Sequence, residues 1–185
     1  AYGEEVYDGL LGLGWPQQGK NGITAPLQNI FDQLGVAPTF TLWMQHDEFP
    51  YVGEVHGQLT IGGYDNENCD SSSLTYLPLS TSDTWQIAFN KVAYGSYSLP
   101  TRQLAILTTG DGSLGVPPGV LAQIYDISGA QYLSSYHTFE VPCATENTLP
   151  DLVFSINNAN FAIKPHDYLR RVCFLLDLST TIETL

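Results

Sequence analysis

Three places along the chain carry residue types that do chemistry in other proteins. Tyr7 to Gly14 reads Tyr-Asp-Gly-Leu-Leu-Gly-Leu-Gly, a glycine-rich run of the kind that can cradle phosphate. Its glycines fit neither GxGxxG nor a P-loop, and no lysine follows where a phosphate would need one, so the run reads as a tight strand-to-helix turn. Asp111-Gly112-Ser113-Leu114-Gly115 nearly matches the GxSxG nucleophile elbow, and Asp126, Asp151 and His166 follow in the chain order of an α/β-hydrolase triad. The first glycine of that motif is replaced by Asp111, and the alternation of strands and helices that builds such a fold is missing, so serine-hydrolase chemistry is set aside. The histidines, His46, His56, His137 and His166, are scattered, and only His46 with Asp47 and Glu48 resembles a cluster. No second histidine follows at helical spacing, so no metal site is expected.

Elements must hold whatever chemistry there is, and apolar–polar alternation marks eight strands. They are Phe40 to Met44, Gln58 to Ile61, Leu74 to Leu79, Trp85 to Val92, Leu104 to Thr108, Tyr136 to Val141, Leu152 to Ile156 and Tyr168 to Leu176. Two segments have helical spacing. Pro26 to Leu34 places Leu27, Ile30, Phe31 and Leu34 on one face, and Pro118 to Tyr125 does the same with Val120, Leu121, Ile124 and Tyr125. Gly62-Gly63, Asn157-Asn158 and Pro117-Pro118 mark turns. Trp15, Trp43 and Trp85 read as packing residues.

The bulk numbers agree with a β-rich globular protein. The 185 residues are 43% hydrophobic and 12% aromatic, enough for a core, while 17 glycines and 11 prolines break the chain into short runs. Six Lys and Arg stand against nineteen Asp and Glu, for a formal net charge of −13. Such a surface repels phosphate backbones and anionic membranes, so nucleic acid and membrane partners are not expected. It also suits an acidic compartment, because protonating carboxylates moves this chain toward neutrality. No stretch approaches the roughly 20 apolar residues of a membrane span, and the acidic start is no signal peptide. Cys69, Cys143 and Cys173 include no CxxC pair, which argues against a zinc knuckle or a thioredoxin site.

In order, the segments resemble those of one family. Tyr7-Asp8-Gly9-Leu10-Leu11-Gly12-Leu13-Gly14-Trp15-Pro16 resembles FDGILGL, Phe31-Asp32-Gln33-Leu34 resembles FDNL, and Phe40-Thr41-Leu42-Trp43 resembles FSLW. Leu59-Thr60-Ile61-Gly62-Gly63-Tyr64-Asp65 is similar to an LxxGGxD turn, and Tyr76-Leu77-Pro78-Leu79 with Trp85-Gln86-Ile87 to a yxPv…WqI pair. Leu149-Pro150-Asp151-Leu152-Val153-Phe154-Ser155-Ile156-Asn157 is similar to LPDIVFTINg. Together, in colinear order over nearly the whole chain, these motifs resemble the pepsin-like aspartic peptidases. Cys69 just after the Gly-Gly-Tyr-Asp turn resembles the nematode branch.

The resemblance implies what the chemistry should be, and where this chain departs from it. These peptidases set two aspartates, one from each lobe, close enough to share a proton and activate a water. The second-lobe motif A-I-V-D-T-G-T-S is matched here by Ala105-Ile106-Leu107-Thr108-Thr109-Gly110-Asp111-Gly112, with Thr108 where the aspartate should be. A threonine hydroxyl binds a water but is no general base near acid or neutral pH. Asp111, three residues on, is displaced and differently directed by strand geometry. The first DTG motif, the flap tyrosine and the final ILGD strand have no counterpart in the sequence, so neither catalytic aspartate is expected. The resemblance further implies a Cys143–Cys173 disulfide in the second lobe, hence an oxidising compartment, and leaves Cys69 without an evident mate.

The expectation is therefore a mostly β, single pepsin-like lobe with two short helices. Residues 1–39 resemble the end of the first lobe, and 40–185 the second lobe without its final strand. The gap beside Thr108 is filled either by a permutation, with Leu10 to Gly12, the first helix and strand Phe40 to Met44 standing in, or by dimerisation. In function the resemblance implies a protein secreted or in an acidic lumen, needing no cofactor or metal, and no longer cutting. Like inactive relatives such as the pregnancy-associated glycoproteins, it would bind a peptide, a protein or a small apolar ligand. The alternatives are a fragment or subunit of an acid endopeptidase, and an interaction protein or antigen without a cleft.

Overall fold

A computed structural model describes residues 9–45, 57–110, 114–134, 137–174 and 177–182, with only the backbone described for Lys20, 170–174 and 177–182. The chain forms two compact units, one of residues 1–76 and 81–85, the other of residues 77–80 and 86–185.

In the first unit, helix α1 (Pro26–Leu34) begins with a proline, whose missing N–H is no loss at a first helical position, and ends at Gly35. Gly35 takes the left-handed conformation at φ 63° and returns its N–H to the Phe31 carbonyl. Of the four apolar residues expected on one face, Leu27 and Phe31 are buried and Leu34 is exposed. Strands β1 (Phe40–Met44) and β2 (Gly57–Ile61) pair antiparallel, with Phe40 opposite Ile61 and Met44 opposite Gly57. Trp85 packs 4.9 Å from Trp15 and edge-on to Phe40 at 5.5 Å, and its indole N–H donates to the Leu13 carbonyl at 2.8 Å. The described part of the glycine-rich run, Gly9 to Gly14, is irregular and leads into a 3₁₀ turn at Pro16–Gln18.

Among the described residues the second unit holds three sheets. Strands β3 (Gln86–Phe89) and β6 (Gln103–Ile106) form an antiparallel pair. Strands β4 (Lys91–Tyr94), β5 (Tyr97–Leu99), β9 (Leu152–Ile156) and β10 (Ala159–Ile163) form a sheet in the order β10-β9-β4-β5. Strands β7 (Gln131–Leu133), β8 (Thr138–Pro142), β11 (Arg170–Phe174) and β12 (Asp177–Ile182) form another in the order β11-β12-β8-β7. Helix α2 (Pro118–Ser128) places Val120 and Ile124 into the core, against Phe89, Val92, Tyr94, Val141, Leu152 and Leu169. A four-residue helix, α3 (Pro165–Tyr168), precedes β11. The architecture is mostly β with short helices, and no closed barrel forms among the described residues.

Several elements differ from expectation for identifiable reasons. Leu74 to Leu79 is no strand: a 3₁₀ turn at Ser71–Ser73 runs into it, Pro78 has no N–H to give a ladder, and only Leu79 bridges, to Ile87. Trp85 to Val92 divides at Asn90, whose N–H goes to the Ser155 carbonyl at 2.8 Å, so that β3 and β4 serve different sheets. Strand β10 was hidden by a polar sequence, yet the turn that makes it was legible. Asn157 and Asn158 both hold positive φ, 48° and 65°, the two-residue hairpin geometry that asparagine tolerates.

Candidate functional site

Thr108 follows β6 at the point where the resembling motif carries an aspartate. The register sets Ile87 opposite Ala105 and Phe89 opposite Gln103 on the inner face, where Ile87 and Phe89 are buried. The period of two then turns Leu104 and Ile106 outward, and they are 50% and 62% exposed, with Leu107 at 58%. Among the described residues β6 has one strand neighbour, β3, so the strand leading to Thr108 is an apolar edge.

The end of that edge is a small turn. The Gly110 N–H donates to Thr108 Oγ1 at 3.1 Å, and Thr108, Thr109 and Gly110 are exposed. The hydroxyl therefore spends one lone pair within its own turn and keeps its O–H for a neighbour. A water or a peptide carbonyl can bind there, but no group in the turn takes up a proton in the acid-to-neutral range. Asp111, together with Gly112 and Ser113, lies outside the described residues.

The other sequence candidates do not gather into a second site. Asp151 pairs with Lys164 Nζ at 2.6 Å, and His166 Nε2 lies 3.3 Å from Asp167 Oδ1. His137 Nδ1 meets the Tyr132 hydroxyl at 3.1 Å, while His46 and His56 lie outside the described residues. No group of three metal-ligating side chains occurs among the described residues. Cys69 is a half-buried free thiol. Cys143 opens a 3₁₀ segment directly after β8, and the side chain of its expected mate Cys173 lies outside the described residues.

Two features had no counterpart in the sequence reading. Tyr168 donates its hydroxyl proton to the Pro150 carbonyl at 2.7 Å and meets the Tyr94 hydroxyl at 3.2 Å. Burial raises the pKa of both phenols above 10, so they are neutral from acid to neutral pH. The Trp15 indole N–H is buried without an acceptor. Aromatic content announced packing at these positions, but not which polar tips would meet.

The family model for eukaryotic aspartyl proteases matches residues 2–174. Over 169 residues the chain is 34% identical to aspartic protease 1 of Caenorhabditis elegans, an alignment covering 91% of this chain and 42% of that relative. It is 35% identical over 162 residues to aspartic protease 17 of the same organism, covering 88% and 41%. Against cathepsin E of Mus musculus it is 32% identical over 166 residues, covering 88% and 40%. The chain thus spans about two fifths of the length of the curated relatives it matches. No helix among the described residues is long and apolar enough to cross a membrane.

Proposed function

The chain belongs to the eukaryotic aspartyl protease family, and from that premise we propose that it is a homologue without catalysis of its own that binds a peptide, a protein segment or a small apolar ligand. The observation that carries this is Thr108: at the motif position of an aspartate stands an exposed hydroxyl already engaged by the Gly110 amide. The paired-carboxylate mechanism needs two groups that share a proton, and a threonine supplies none. The adjoining edge suits binding. The edge of β6 away from β3, without a strand neighbour among the described residues, offers main-chain N–H and C=O groups to an extended peptide, and Leu104, Ile106 and Leu107 offer it apolar contacts. The net charge of −13 supports a secreted or acidic-lumen location.

A second reading has its own support. Because the alignment spans 42% or less of each relative cited, the chain is also read as part of an endopeptidase whose remaining residues are supplied elsewhere, by a longer polypeptide or a second copy.

Incubating the purified chain with a denatured protein substrate from acid to neutral pH, with and without a transition-state mimic of aspartic peptidases, separates the two. The expected result is no cleavage at any pH, together with retention of peptide on the folded chain. Cleavage that the inhibitor blocks would show an assembled centre and sink the non-catalytic reading.

A further inference from the structure

We propose that Asp65 is an acid-sensitive latch: its ionised carboxylate holds the turn from Asp65 to Cys69 closed and ties it to Gln58 of β2, and protonation of this one group releases that turn. Asp65 is 3% exposed, although it sits in a surface loop. Its Oδ1 accepts the backbone N–H groups of Glu67 at 3.1 Å and Asn68 at 3.0 Å. Its Oδ2 accepts the Asn68 side-chain amide at 2.8 Å and, from β2, the Gln58 amide at 3.4 Å. The Asp65 carbonyl takes the Cys69 N–H at 3.1 Å, which closes the turn.

The chemistry of the donor set makes this arrangement depend on charge. Every bond to the carboxylate comes from a neutral N–H, and the four donors use all four lone-pair directions of an ionised carboxylate. A protonated carboxyl carries an O–H of its own, so one oxygen would present a donor to the Asn68 or Gln58 amide. Water cannot readily replace the lost bond at a buried group. The groups facing Asp65 are the neutral Gln58 amide from β2 and, on the loop, the Asn68 amide with the Glu67 and Asp70 carboxylates nearby in sequence. No cation bonds to it among the described residues. The Asn68 hydrogen bonds, against the smaller opposing effect of burial, hold its pKa below the ordinary 3.8. With a folded value below the unfolded one, closure is fully supported above about 3.8 and is lost as pH falls through the folded value. The loop thus stays shut in mild acid and opens in strong acid. Asp70 accepts the Ser72 N–H at 2.9 Å and its pKa is also lowered, but it is exposed, so water replaces its bonds.

The loop reports its own state through the Glu67 and Asn68 amides and the Cys69 thiol. Hydrogen–deuterium exchange of the intact chain, corrected for the intrinsic pH dependence of an unstructured peptide, should show protection of those amides constant from about pH 7 to about pH 4. Between about 3.8 and the lower folded value it should fall by up to about tenfold per pH unit, as one proton requires, and level off below that. Labelling of Cys69 by an acid-active disulfide reagent should rise in parallel, while β1 and β2 stay protected. Asp65→Asn keeps one acceptor but turns an NH₂ toward Asn68 and Gln58, so its loop should exchange fast at every pH. Asp70→Asn should keep the transition, and Gln58→Ala, which removes one donor to the ionised form, should move it to higher pH. Constant protection down to about pH 2, an unchanged midpoint in Gln58→Ala, or loss of β1 and β2 protection at the same pH would each overturn the latch.

Discussion

At the scale of single residues, direction matters as much as contact. Tyr168 gives its proton to Pro150, so the Tyr94 hydroxyl must give its own to Tyr168, and the pair forms a one-way chain ending on a backbone carbonyl. Tyr94 is fully buried, and its ring stands edge-on to Tyr168 at 6.1 Å. Removing the acceptor is therefore worse than removing the donor. Tyr168→Phe strands the Tyr94 hydroxyl and should cost about 1–3 kcal/mol in urea unfolding, whereas adding Tyr94→Phe should return part of that loss. Because burial raises both phenol pKa values, the stability they contribute is complete below about 10 and lost as pH rises above it, so acid leaves this pair intact. The Lys164–Asp151 pair at 2.6 Å, with both side chains partly in solvent, adds little beside it.

Among the elements, β6 carries the functional question. Its inner residues are fixed by the buried Ile87 and Phe89 across the pair, which leaves Leu104 and Ile106 outside. Ile106→Lys places a charge on that open edge and loses no buried contact. Thermal stability should stay within about 0.5 kcal/mol while self-association and peptide retention fall, as measured by light scattering and a binding assay. Strand β12 lies between β8 and β11, pairing Thr180 with Val141 on one side and Cys173 with Leu178 on the other.

For the molecule as a whole, charge dominates behaviour in solution. The net charge of −13 keeps copies apart near neutral pH, and the sequence pI of about 4.3 removes that repulsion in mild acid. With an apolar edge at β6 exposed, association measured by sedimentation should be greatest near pH 4.3 and reverse on return to neutral pH. That behaviour is centred above the pH range in which Asp65 protonates, and only association should depend on protein concentration.

The sequence by itself determined the family, the β-rich class and both longer helices. Each of these is written in local pattern: proline starts and glycine stops for α1 and α2, alternation for most strands, and ordered short motifs for the kinship. Tertiary structure decided the rest, because it depends on which distant residues meet. Leu74 to Leu79 alternates like a strand but among the described residues pairs only at Leu79, since pairing is a property of two segments rather than one. Ala159 to Ile163 scarcely alternates, yet it becomes β10 because an Asn-Asn turn folds it onto β9. Tyr94 and Tyr168, 74 residues apart, join only when α3 and β4 are brought together, and Asp65 becomes a buried charge only when β2 lends it Gln58.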